Sequence, residues 1–378
     1  MKSLVLVYLG FVFSLVVASV GDGLPEFQDC LYKCSLLMNC EEDVSPVDNH
    51  ISDETEYTKE FFEISFPLNP LFHVFWSCKS DCNYKCQQII TALRLKSGSN
   101  MEQFYGKWPF FRVFGIQEFY SSIFSLGNLY INYLNLFIVM VQYNKNKKLQ
   151  NKKYANITKQ YLWAILGSLV GWTFSTIYHV RDTPLTESLD YFGAFFIVLL
   201  NFNAISYRFL KIYNCSDSIQ NLWKLALLLT YICHFIKLSI HWDYKYNIIV
   251  NSTFGMTGTI MWFIHSYNIC KLYNRNKLSY KNSIQLLPFE TKILSKLRFI
   301  NSSWIPLIPV FLNAWLLFGV SFEFYDFAPI NQLIDGHALW HLATILPSIV
   351  WYDWNVWDIE LLKVTDDLQN LKMKSFNH

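Results

Sequence analysis

STIYHVRDTPLTESLDY, residues 175–191, closes one apolar run and opens the next. The runs on either side, 160–180 and 189–211, are near the roughly 20 residues a helix needs to cross a bilayer core. The short polar stretch between them therefore reads as a turn between two spans. Ser175 and His179 lie four apart on one helix face, and Asp190 stands at the mouth of the following run. Polar and ionisable groups are costly at membrane depth, so their placement points to function.

The pattern extends along the chain. Apolar runs at 119–142, 160–180, 189–211, 220–240, 246–270, 299–321 and 332–356 predict seven transmembrane helices, the fourth broken by His234 and Lys237. Of 378 residues, 52% are hydrophobic and 16% charged, where a soluble chain carries about a quarter charged. The fold class is thus an all-α membrane protein. A net charge of +2 gives no electrostatic footprint for nucleic acid, which is not expected as a partner.

Residues 1–20 carry Lys2, an apolar core and then Ala18 and Ser19, the pattern of a cleaved secretory signal. An uncleaved anchor helix is the alternative. Behind it, Cys30, Cys34, Cys40, Cys78, Cys82 and Cys86 form an even set in a polar segment, for which disulfides are expected. A zinc knot is the rival, although its usual spacing differs. The pairing stays open. Residues 21–105 are read as a small cysteine-rich lumenal domain, 106–358 as the helical domain and 359–378 as a cytoplasmic tail. Cys215, Cys233 and Cys270 are expected to be free thiols.

Orientation follows from loop charge. NKNKKLQNKK and KLYNRNKLSYKN face the cytoplasm by the positive-inside rule, and the acid-rich loops VRDTPLTES, HWDYKY and EFYDFAPINQLID face the lumen. The amino terminus is then lumenal and the carboxyl terminus cytoplasmic, in agreement with the signal. On this topology the sequons at Asn156, Asn214 and Asn301 are cytoplasmic, and Asn251 lies close to the membrane. Little N-glycosylation is expected.

DGHALWH, residues 335–341, adds His337 and His341, four apart at the lumenal start of the last helix. Helix two ends on that side with Ser175 and His179, and Asp190 enters from it. Three imidazoles with an open fourth position suit catalytic zinc, and one helical turn suits two ligands on one ion. Iron or copper would accept the same ligands. Such a metal lowers the pKa of water to about 7. Asp190 could take the proton and Ser175 could steady an oxyanion. A Ser-His-Asp triad from the same residues is the weaker alternative, because a helical pair is not a nucleophile elbow. His234, His241 and Asp243 read as helix-end polarity, and His265 as too deep to join.

YGKWPFFRVFGIQE, STIYHVRDTPLTESLDYFGAFF and DGHALWHLATILPSIVWYDWNVWD resemble the post-GPI-attachment-to-proteins factor three family over nearly the whole mature chain. More distantly the chain is similar to alkaline ceramidases and to progestin and adiponectin receptors. The resemblance implies a GPI-specific phospholipase A2, removing the sn-2 acyl chain from the lipid of GPI-anchored proteins. It places zinc ligands on His179, His337 and His341, with the aspartate on Asp190 and the serine on Ser175. GPI-anchored proteins are then the substrates and membrane lipids the surroundings. The endoplasmic reticulum is the expected membrane, with the Golgi as alternative. Lys245 stands where the family has glycine, and Phe119 where proline is usual. A ceramidase-like amidase, a lipid-binding receptor and an escort for GPI-anchored proteins are the competing readings. The choice of ester over amide rests on the resemblance alone.

Overall fold

The computed structural model describes residues 19–40, 76–276 and 302–376. The expected signal, apart from its last two residues, and Asn301 lie outside the described residues. Among the described residues the chain is helical, with isolated bridges and no strand. It forms two compact units. The first runs to Tyr120 and takes in His179–Arg181 and Asp326–Gly336; the second holds Ser121–Tyr178, Asp182–Tyr325 and the chain from His337.

In the first unit, α1 (Pro25–Leu37) opens on a proline, whose missing N–H costs nothing at a helix start. The N-cap of α2 (Cys78–Lys96) is Ser77, whose hydroxyl accepts from Ser80 N. Two disulfides, Cys30–Cys86 and Cys34–Cys82, join the two helices, and a third, Cys40–Cys78, ties the chain just past α1 to the start of α2. Rising numbers on α1 meet falling numbers on α2, so the helices run antiparallel. All six cysteines are consumed, which excludes the zinc knot. Phe27, Ile90 and Phe104 fill the space between the helices.

The aromatic segment after α2 is built on two tight turns. Phe104 and Lys107 bridge around Tyr105 and Gly106, and Val113 and Ile116 bridge around Phe114 and Gly115. All four central residues have positive φ, from 52° to 77°, which is the type I′ geometry. Only glycine adopts it freely at the second position of each turn. Arg112 lies 3.4 Å from the Trp76 ring centre and bonds Asp81 at 2.9 Å. Burial pulls its guanidinium down to about 10, partly offset by Asp81. Asp326 closes the unit by accepting from Gln103 and Trp108.

The second unit is built from α3 (Phe119–Lys148), α4 (Lys152–Val180), α5 (Pro184–Phe209), α6 (Asp217–Ile240), α7 (Tyr244–Asn276), α8 (Ile308–Tyr325) and α9 (Gly336–Phe376). A helix stands at each apolar run of the sequence. The last continues to Phe376, so most of the segment assigned to a tail is helical. Within the run at 299–321, Ser302–Leu307 form a 3-10 helix carrying Pro306, and the α-helix starts only beyond it.

Four helices are long and apolar enough to cross a membrane by length and composition: α3, α5, α6 and the stretch Trp304–Tyr325. Helices α4, α7 and α9 lie outside that group. They bury polar side chains, among them Gln160 and Ser168 in α4, His265 and Ser266 in α7, and Asp353 and Asp358 in α9. Such groups are tolerated where neighbouring helices pair them.

Three contacts lock this unit. Along α3, buried Asn128, Asn132 and Asn135 recur at helical spacing and bond to α9: Asn128 to His341 O, Asn135 to Ser348 O and Asn132 to the Tyr352 hydroxyl. Helices α4 and α5 meet at Gly171 and Gly193, where a Cβ on Gly193 would stand 3.1 Å from Gly171 Cα. Arg208 of α5 holds buried Asp358 of α9 through two bonds of 2.6 and 2.9 Å, with His265 Nε2 at 3.3 Å.

Candidate metal centre

The end of α4 is organised by the chain entering α3. Gln117 N and Glu118 N donate to the carbonyls of Val180 and His179, satisfying two acceptors that a helix end leaves open. This pairing brings the Glu118 carboxylate to the His179 ring, 2.8 Å from Nδ1. Lys107, delivered by the first turn, forms an ion pair with the other carboxylate oxygen. Burial alone would raise the carboxyl's pKa, but Lys107 and His179 hold it well below the usual carboxylate range.

One turn before His179 on the same helix, Ser175 is buried with its Oγ 3.1 Å from Ser125 Oγ of α3. Ser125 Oγ lies 2.7 Å from His341 Nδ1. The His341 ring meets the edge of Trp172, and Asn128 fixes the His341 carbonyl. One turn earlier on α9, His337 Nδ1 is 2.6 Å from Glu323 Oε2 at the end of α8. The two α9 imidazoles lie with centres 4.5 Å apart and their planes tilted by 52°.

One potential ligand atom each from His179, His337 and His341 falls within 4.8 Å of the others. Three imidazoles at this separation form a donor set able to hold a metal ion. In each ring, Nδ1 faces an oxygen partner: Glu118, Glu323 or Ser125. That is the outer-shell arrangement that fixes tautomer and orientation in metal-ligating histidines. The residues present therefore fit a metal.

Asp190 is the seventh residue of α5, half-buried, and does not belong to that group of ligand atoms. His265 is engaged with Asp358, and Asp243 Oδ1 accepts from Tyr246 N at the start of α7. Cys215, Cys233 and Cys270 are free thiols.

Sequence reasoning passed over Glu118, Ser125 and Glu323. Ser125 carried a signal: Ser121, Ser125, Asn128, Asn132 and Asn135 step by four and three along an otherwise apolar run. Glu118 and Glu323 carried none beyond being acids beside spans.

Known proteins resemble this chain in sequence. The family model described as Per1-like family matches residues 70–359. Protein PER1 of Saccharomyces cerevisiae is 34% identical over 346 residues, covering 90% of this chain and 92% of that protein. Post-GPI attachment to proteins factor 3 of Drosophila melanogaster is 30% identical, covering 93% and 92%. GPI-specific phospholipase A2-like PGAP3 of Homo sapiens is 26% identical, covering 96% of each chain. The family match takes in α2 with its three cysteines, the turns that carry Lys107 and Glu118, and all three histidines, and the chain belongs to the Per1-like family.

Proposed function

We propose that the chain is a GPI-lipid remodelling hydrolase that removes the sn-2 acyl chain from GPI-anchored proteins. It acts as a seven-span protein of the endoplasmic reticulum membrane with a lumenal amino terminus. The observation that carries this reading is the trio of histidines, with one potential ligand atom of each within 4.8 Å of the others and each Nδ1 beside an oxygen partner. The names of the relatives supply the substrate class: PGAP3 of Xenopus laevis and of Homo sapiens is named a GPI-specific phospholipase A2-like protein.

His179, His337 and His341 would hold the metal, and three imidazoles favour zinc. Such an ion makes water nucleophilic at neutral pH and polarises a carbonyl. Glu118, Ser125 and Glu323 orient the rings. Asp190 accepts the proton of the attacking water, and Ser175 donates to the oxygen that gains charge. Water supplies one oxygen, the acyl–oxygen bond breaks, and the products are a free fatty acid and a lipid with an sn-2 hydroxyl.

The test uses cells lacking the protein, complemented at matched expression with wild type, Ser175→Ala, Asp190→Ala or His341→Ala. The acyl chains of GPI-anchored proteins are read by mass spectrometry. Restoration of the remodelled sn-2 chain by wild type alone is expected. Restoration by all three variants overturns the reading.

A further inference from the structure

Both type I′ turns of the first unit go against the residue preference of that geometry. Asn, Asp or Gly is favoured at the first central position, and a bulky side chain with positive φ is an outlier. Tyr105 and Phe114 nonetheless stand there, at φ of 52° and 53°. The turns would form more readily without these rings, so each ring serves something outside its turn.

For Tyr105 that partner lies within the protein. Its ring stands 6.2 Å from Phe27 of the disulfide-bonded core, its hydroxyl pairs with Asn83, and its backbone N–H donates to Asp22. Asp22 and Lys79 are close by, and such charged groups belong in water.

Phe114 has other surroundings. It is 69% exposed, and its ring centre lies 6.0 Å from that of Phe119. Phe119 is the first residue of α3, a helix long and apolar enough to cross a membrane, and so marks the level at which the chain enters the bilayer. A ring 6.0 Å away stays within the headgroup layer, roughly 5–7 Å deep on each side, or the edge of the hydrocarbon beneath it. Beside the turn, Trp76 Nε1 donates to Gly115 O at 2.9 Å, and the Arg112 guanidinium lies 3.4 Å from the indole centre. Indoles and basic side chains are the groups that membrane interfaces collect. Phe111, on the same segment, is 43% exposed. The two turns share a backbone geometry and differ in setting: charge around Tyr105, aromatic rings around Phe114.

We propose that the Phe114–Gly115 turn is inserted into the lipid leaflet that α3 enters, with the Phe114 ring among the outermost methylenes of the acyl chains. The partner is the lipid surface itself. Gln117 and Glu118 follow the turn and pair with Val180 and His179, so insertion also sets the depth of the segment that caps the end of α4. The inference rests on the membrane-spanning character of α3 and stands whether or not the chain is a hydrolase.

The full-length protein is reconstituted in dioleoylphosphatidylcholine vesicles with p-benzoylphenylalanine in place of Phe114, Tyr105 or Phe311. Phe311, exposed on membrane-length α8, is the lipid-facing reference. After illumination, lipid adducts are quantified by peptide mass spectrometry. The photophore at Phe114 is expected to form phosphatidylcholine adducts as Phe311 does, and the one at Tyr105 to lose them. A second measurement uses natural side chains. A phosphatidylcholine with a diazirine near the glycerol end of an acyl chain should label the peptide containing Phe114. Phe114→Asn suits the turn better, so the fold is kept, and it should lose that labelling while Phe311 labelling persists. Equal adduct yields at Phe114 and Tyr105, or diazirine labelling unchanged in Phe114→Asn, overturn the insertion. Crosslinks from position 114 to another segment or to a second copy of the chain, in place of lipid, overturn the leaflet as occupant.

Discussion

Replacing Glu118 separates a metal centre from a merely structural cluster. Its carboxylate, 5% exposed, holds His179 Nδ1 at 2.8 Å and pairs with Lys107. A hydrogen bond to a charged group contributes about 1.5–3 kcal/mol. Glu118→Ala removes all of it, so zinc affinity should fall about 10- to 150-fold, in keeping with the roughly 10–100-fold seen for outer-shell partners. Glu118→Gln keeps an acceptor but loses the charge, and charge assistance is roughly half the bond's strength. That variant should lose about fivefold. The assay is equilibrium competition between the purified full-length chain in detergent and a fluorescent zinc chelator. Glu118→Ala with Lys107→Met removes the cation that the single variant leaves partly buried. Helicity by circular dichroism confirms that each variant is folded. Unchanged zinc affinity in a folded Glu118→Ala protein would refute the assignment of His179 as a ligand.

Asp358→Asn strands the buried Arg208 guanidinium and should cost about 3–5 kcal/mol in thermal unfolding followed by tryptophan fluorescence. Arg208→Met with Asp358→Leu should recover most of that loss; an equally large deficit in the double variant would contradict the reasoning. Gly193→Ala places a methyl 3.1 Å from Gly171 Cα and should cost about 1–3 kcal/mol by the same measurement. Cys34→Ser with Cys82→Ser removes the middle of three nested bridges, so the ring released is short and chain entropy gives about 3 kcal/mol. The expected readout is early proteolysis between α1 and α2 while cleavage within α3–α9 is unchanged.

What could be read along the chain was local and periodic. The length and apolarity of each run mark a helix wherever they occur, because a membrane-length helix satisfies its own backbone. Spacings of four in SxxxH and HxxxH place two side chains on one face by helix geometry alone. An even set of cysteines behind a secretory pattern implies disulfides for chemical reasons. Their pairing required knowing that α1 and α2 run antiparallel.

The partners of the histidines were of another kind. Glu118 reaches His179 across 61 residues and Ser125 reaches His341 across 216. Nothing periodic links such positions; they meet because α3 packs along α9 through its asparagine seam and because the segment before α3 caps the end of α4. His234 shows the converse. Beside His241 and Asp243 in sequence, it reads as a helix end, yet α6 buries it against Phe195 and Tyr246. Residue type and period determine which elements form and which side chains share a face. Which faces meet depends on long-range packing, and only the tertiary structure decides it.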